Sequence, residues 1–307
     1  MPARISPQAT SLFRSKFLVV PRLSTKQWRY SSTIPTQSPK TLPSFSMEGK
    51  VCLITGAARG LGNEFCRAFV QSGCTTMAIV DLKESEAKDA AKELSDLACV
   101  NSDLKKEDIK IIGIECDVSS ELSVQRAYAE TLNTFGRVDS VVASAGIVEN
   151  YAAFDYPFDR IKRLYDINVH GSFFTAREAA RNMIPQGGGS IVLVASMSAN
   201  IINIPQPQTP YNASKAAVRH MASSLAVEWA KKERSSQRPQ PWIYGHQTYQ
   251  DDSQPRPELK KTWESLTPMG RIGEPDDLSG AIVFLASDAS RFMTGSEIRV
   301  DGGYTII

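Results

Sequence analysis

The sequence predicts an α/β protein built on a single doubly wound parallel sheet with helices on both faces. Three observations carry this. Short, continuously apolar runs such as "VCLIT", "TTMAIVD" and "GSIVLVAS" alternate with longer segments of helical periodicity, as expected of strands covered on both faces by crossover helices. A glycine-rich turn, "GAARGLG", joins the first strand to the first helix. The alternation runs on to a last strand, "SEIRVDGG", with no internal repeat.

In chain order, "VCLIT" is a strand and the segment through Phe69 a helix. "TTMAIVD" is a strand and Ser85 to Leu97 a helix. Ala98 to Asp108 is a polar loop before the strand "IKIIGIECD", followed by a helix from Glu121 to Phe135. Then come the strand "VDSVVASAG", a long helix from Asp159 to Met183, the strand "GSIVLVAS" and a helix from Thr209 to Lys232. "EPDDLSGAIVFLAS" is the last helix.

With 307 residues the chain has ample apolar content for a core. Its net charge of +2 gives no electrostatic case for nucleic acid, and no apolar run is long enough to cross a bilayer. The five cysteines form no CxxC pair and no metal-type cluster with the three histidines, so no metal is expected and a reduced interior is the natural setting. Residues 1–46 are rich in Arg, Lys, Ser and Thr and contain no acidic residue. That is the composition of a mitochondrial transit peptide; the alternative is a tail without an address, on a cytoplasmic protein. The domain is therefore expected to span 47–307.

The chemistry starts at the glycine turn. Gly56, Gly60 and Gly62 let backbone approach a pyrophosphate at a helix N-terminus, in the strand–turn–helix setting of a Rossmann-type dinucleotide site. Asp81 closes the second strand, where a carboxylate accepts hydrogen bonds from ribose hydroxyls and repels a 2′-phosphate, favouring NAD over NADP; a merely solvated strand-end carboxylate is the alternative. In "YNASK", Tyr211 and Lys215 stand one helical turn apart. An ammonium beside a phenol is expected to lower its pKa, giving an acid/base for a carbonyl or alcohol oxygen. Ser196, ending a strand, is placed to face the same oxygen.

Together, "TGAARGLG", "ECDV", "SAG", "YDINVHGSFF", "YNASK" and "PMGRIGEPDDLSGAIVFLASDASRFMTGSEIRVDGGY" resemble the short-chain dehydrogenase/reductase family, over Met47 to Tyr304 apart from one segment. The stretch "SMSANIINIPQPQTPYNASKAAVRH" is similar to that of its fungal polyol and ketose members. The resemblance implies a catalytic set of Ser196, Tyr211, Lys215 and Asn168, with Asn168 holding a water that relays protons from Lys215. Ser198 is a rival for the serine role. It implies a cofactor bed of Gly56, Arg59, Gly60, Leu61, Gly62, Asp81, Asp117, Val118, Ser144, Gly146, Tyr211 and Lys215, with Asp117 and Val118 flanking the adenine. Ser144 stands where many members have asparagine. The implied activity is NAD-dependent interconversion of a secondary alcohol and a ketone, a polyol/ketulose pair such as arabinitol and ribulose. A carbonyl reductase of lipid or secondary metabolism is one alternative, and a catalytically weak NAD-binding protein another. The resemblance also implies a homo-oligomer, a tetramer or dimer.

The segment outside the resemblance is 234–257, "RSSQRPQPWIYGHQTYQDDSQPRP", with four prolines and five glutamines. The family has there a buried strand of the type "VRVNxxxPG". Proline removes ladder donors and is excluded from central strands, so the sixth strand is expected to be lost and the last strand left without its neighbour. A reading-frame slip is the expected cause of the composition, with a genuine splice variant or a decayed gene as the alternative. Codons CGT TCG AGT CAA for Arg234 to Gln237, read one nucleotide later, give "VRVN". Trp242 (TGG) followed by any isoleucine codon forces a shifted-frame GGA, a glycine.

Overall fold

The structure, a computed structural model, describes residues 41–100, 105–230, 242–243 and 257–306. Residues 1–40 and most of the 234–257 segment lie outside the described residues.

Five strands form the main sheet: β1 (Val51–Thr55), β2 (Thr76–Asp81), β3 (Lys110–Glu115), β4 (Ser140–Ala143) and β5 (Ser190–Leu193). Their order is β3-β2-β1-β4-β5, all parallel. Leu53 of β1 pairs with Ala78 on one side and Val141 on the other. The order reverses between β1 and β4, so the C-terminal ends of these strands frame the crevice in which doubly wound folds bind their ligands. Every residue of β1, β4 and β5 is buried, whereas edge strand β3 is partly exposed, which is why the central strands read as unbroken apolar runs.

Alternate strand residues face opposite layers. On one side Cys52, Ile54, Met77 and Ile79 meet Phe65 and Phe69 of α1 (Gly60–Gln71), Leu94 of α2 (Glu84–Val100) and Ile282 of the last helix (Ser279–Ala286). On the other, Leu53, Val80, Val141 and Ile191 meet Val124 of α3 (Glu121–Phe135), Ala176 and Met183 of a helix over Gly171–Met183, and Val218 of a helix over Thr209–Trp229. Phe65 and Phe69 are fully buried, each contributing about 1.5–3 kcal/mol by leaving water.

Three boundaries differ from the expected ones. Helix α2 continues to Val100 instead of yielding to a loop at Ala98, because Ala98 still packs on the core. The long helix expected from Asp159 to Met183 is α4 (Phe158–Tyr165) and α5 (Gly171–Met183) joined by one π-helical turn, Asp166–His170. Phe45 stacks on Phe284, ring centroids 5.9 Å apart, so packed structure begins just before Met47. After α6 (Thr209–Trp229) come α7 (Pro257–Leu266) and α8 (Ser279–Ala286).

Among the described residues the main sheet ends at β5, as expected of a lost sixth strand, and what stands in that strand's place is β6, Trp242–Ile243, parallel to β7, Glu297–Ile298. The expectation that the last strand has no neighbour is corrected to this extent, since Trp and Ile are residues that favour a sheet and they open the longest run of the segment free of proline and glutamine, Trp242 to His246. A cavity of about 180 Å³, lined among the described residues by Leu193, Ala195, Val218, Ala222 and Gly295, lies between β5, α6 and the approach to β7.

Candidate active site

The glycine turn leaves β1 at Gly56, whose φ of +66° favours glycine. A Cβ on Gly62 would lie 2.2 Å from the Gly56 carbonyl oxygen, whereas one on Gly60 would meet nothing within 4 Å. The turn is thus tight below and open above, a bed that fits a pyrophosphate at the N-terminus of α1. Arg59 is exposed at its edge and Leu61 is half-buried. Asp81, at the end of β2, accepts from Ala58 N–H at 2.9 Å and from Leu82 N–H at 2.7 Å. It therefore fixes the turn as well as presenting a carboxylate, which retains acceptor sites for ribose hydroxyls. These features fit a dinucleotide cofactor.

Ser144 donates to the Thr55 carbonyl and tethers β4 to β1 beneath the turn. Asp117 is exposed, its carboxylate engaged by Ser119 N–H and hydroxyl at 2.9 and 2.6 Å. Val118 is buried against Gly171, which leaves its backbone for any adenine contact.

Tyr211 and Lys215, on α6, are both buried, as is Ser196, three residues past the end of β5. Of the two rival serines it is Ser196 whose side chain acts on the Tyr211 phenol, drawing its pKa down; its hydroxyl donates to Ser198 Oγ at 3.1 Å. Lys215 Nζ donates to the Val194 carbonyl at 3.0 Å and lies 5.8 Å from the Tyr211 ring centroid. A Cβ on Gly146 would sit 3.2 Å from Asn168 Oδ1 and 3.4 Å from Lys215 Nζ, so a glycine there is what lets these groups converge.

The expected lowering of the phenol pKa is not what the structure shows. Burial pushes Tyr211 up to about 12, with the Ser196 hydrogen bond pulling the other way. Burial also lowers Lys215 to about 8. Away from water each group favours its neutral form. Asn168 is fully buried in the π turn. Its amide clamps Ile147, accepting from the N–H at 2.8 Å and donating to the carbonyl at 2.9 Å, and it also donates to Ser214 Oγ at 3.1 Å. Sequence reasoning missed this clamp, along with Asn203 and Gln208, which lie behind Ser198; the only signal was a cluster of amides in "INIPQPQ".

The Lys215 value has a sign that can be checked. A pKa held below its unfolded 10.5 adds stability as pH rises from about 8, because the unfolded chain then binds the extra proton. The parent should gain about 2 kcal/mol on a Lys215→Met variant between about pH 7 and about pH 9.5, while that variant loses turnover and cofactor affinity. Thermal midpoints at the two pH values check this, and a pH-independent difference would contradict it.

The family model described as enoyl-(acyl carrier protein) reductase matches residues 56–305. A ribulose-forming D-arabinitol 2-dehydrogenase of Scheffersomyces stipitis is 35% identical, over 86% of this chain and 96% of the relative. A NADP-dependent mannitol dehydrogenase of Hypocrea jecorina is 32% identical, over 89% of this chain and 98% of its own. A crystal structure of a short-chain type dehydrogenase/reductase from Mycobacterium marinum superposes with a TM-score of 0.75 at 34% identity, over 85% of this chain and 98% of that one.

Proposed function

Because the chain belongs to the short-chain dehydrogenase/reductase family and is a dehydrogenase/reductase that uses a nicotinamide cofactor, we propose that it interconverts a polyol and a ketulose, with NAD. The observation that carries this reading is the buried set of Ser196, Tyr211 and Lys215, in a chain 35% identical to an arabinitol dehydrogenase and 32% identical to a mannitol dehydrogenase. Arabinitol and ribulose are the pair we favour.

The cofactor supplies or accepts the hydride. The chain's own residues handle the proton and the geometry. Tyr211, with a pKa near 12, holds its proton at neutral pH and gives it to the oxygen of a ketone being reduced. The Ser196 hydroxyl orients that oxygen. Asn168 braces the Ile147 backbone, along which the nicotinamide ribose would rest, and Lys215 is held by the Val194 carbonyl; a proton relay from Lys215 through Asn168 belongs to the same reading. In the oxidative direction Tyr211 must first lose its proton, so polyol oxidation is expected to rise with pH.

NAD is favoured by Asp81, whose carboxylate repels a 2′-phosphate and which precedes exposed Leu82, not a basic residue. Asp81→Ser should weaken NAD use and narrow the discrimination against NADP; equal efficiency of the parent with both cofactors would contradict the assignment. Disappearance of NADH absorbance with a panel of ketuloses tests the activity, and binding of NAD without turnover of any of them would favour a weak or non-catalytic NAD-binding protein. The two-residue length of β6 is the observation behind that second reading. The Arg-rich, acid-free leader supports a mitochondrial address, testable by whether a tagged chain is imported and shortened.

A further inference from the structure

Cys52 and Cys74 stand 22 residues apart in the chain, and the fold brings their sulfurs to 3.6 Å. Cys52 is the second residue of β1, and Cys74 lies in the turn between α1 and β2. Both are free thiols. About 1.5 Å of closure separates the two sulfurs from the disulfide length of about 2.05 Å. The Cys74 thiol also reaches the Lys50 and Thr76 carbonyl oxygens, at 3.6 and 3.4 Å. Its single hydrogen cannot serve three acceptors at once, so no one contact fixes the sulfur in place. The two thiols differ in their route to water, although both are buried. Cys52 belongs to a strand buried along its whole length. Cys74 is flanked by half-buried Gly73 and Thr75, just past the end of α1. Local opening of that turn exposes Cys74 and leaves Cys52 in the sheet.

We propose that Cys74 and Cys52 are an oxidative modification site, in which Cys74 reacts with a peroxide when the turn opens and Cys52 resolves the product to an intramolecular disulfide. In the first step the Cys74 thiolate attacks a peroxide oxygen. An S–O bond forms, the O–O bond breaks, and the departing hydroxide takes a proton to become water. In the second, Cys52 gives up its proton and attacks Cys74 Sγ. The S–S bond forms, the S–O bond breaks, and the hydroxide leaves as a second water. Two thiols are oxidised by two electrons and one peroxide is reduced. Resolution by Cys52 keeps Cys74 from the irreversible higher acids. Cys66, on α1, packs in the same buried cluster and is the rival partner.

The test treats the full chain with hydrogen peroxide under native conditions, blocks remaining thiols by alkylation, and reads intact mass and peptide maps. The parent should lose two hydrogens, yield a cross-linked peptide pair joining Cys52 to Cys74, and return to its starting mass with dithiothreitol. Cys52→Ala should leave Cys74 unresolved, so that it gains oxygen instead. Cys74→Ala should leave Cys52 unmodified at the same exposure, and it carries the test if Cys52→Ala does not fold. Cys66→Ala should give the parent result. Partly exposed Cys99 reports that the oxidant has acted. Oxidation of Cys99 with Cys52 and Cys74 unchanged, oxygen added to Cys74 of the parent without the link, or a link formed preferentially through Cys66 would overturn the proposal. These masses need no cofactor and no substrate, so failure of the polyol reading leaves this inference standing, and the reverse holds equally.

Discussion

Replacing Tyr211 with phenylalanine is expected to remove turnover, by about a hundredfold or more, while leaving cofactor affinity within about twofold. The change deletes one oxygen. It keeps the ring that packs in the buried site, and it leaves the glycine turn and Asp81, which stand at the ends of β1 and β2, untouched. The loss should fall on kcat, because the proton is needed in the transition state and not for binding. Ser196 cannot replace it: its hydroxyl is tied to Ser198 and has no buried base behind it. Steady-state kinetics together with calorimetric cofactor binding check both halves. Activity above about a hundredth of the parent would remove Tyr211 from the acid/base role.

Substituting a strand and Pro-Gly turn of the "VRVNxxxPG" type for residues 234–257 is expected to raise both stability and turnover. Among the described residues β5 closes the main sheet and β7 is paired over two residues. The cavity of about 180 Å³ beside Leu193, Ala195, Val218 and Ala222 is where the side chains of a longer β6 would pack. Those four residues come from the end of β5 that precedes Ser196 and from the face of α6 that carries Tyr211 and Lys215. Support withdrawn there is withdrawn from the catalytic pair. The restored chain should show a higher thermal midpoint and at least about tenfold higher kcat/KM, a difference of about 1.4 kcal/mol in transition-state stabilisation. Genomic reads confirming the present frame, together with equal turnover by both chains, would refute the slip and the structural role given to the strand.

The parts of the fold that were legible in the sequence are those whose cause is local. Strands β1, β4 and β5 are buried along their whole length, so their apolar runs announce them. Gly62 has no room for a Cβ, and the glycine that results is visible as a motif. Tyr211 and Lys215 share a helix and therefore a spacing. What was not legible depends on contacts between distant segments. The π turn at Asp166–His170 accompanies the Asn168 clamp on Ile147, which bridges α5 to the end of β4. Asn203 and Gln208 sit in a loop that looks merely polar until the fold closes it over Ser198. The protonation of the Tyr211–Lys215 pair was read from the charge of one residue upon the other, whereas burial of both governs it. Trp242–Ile243 was passed over because the composition of its surroundings argues against a strand.

The central claim is that nicotinamide-linked carbonyl chemistry at the Ser196–Tyr211 pair acts on a polyol. It is tested most directly by the absorbance of NADH formed from NAD and D-arabinitol, measured with the strand-restored chain beside its Tyr211→Phe variant. The predicted result is NADH appearing in step with ribulose in the former and none in the latter. NADH formation that survives the loss of the Tyr211 hydroxyl, or no formation by the restored chain from any polyol, would contradict the claim.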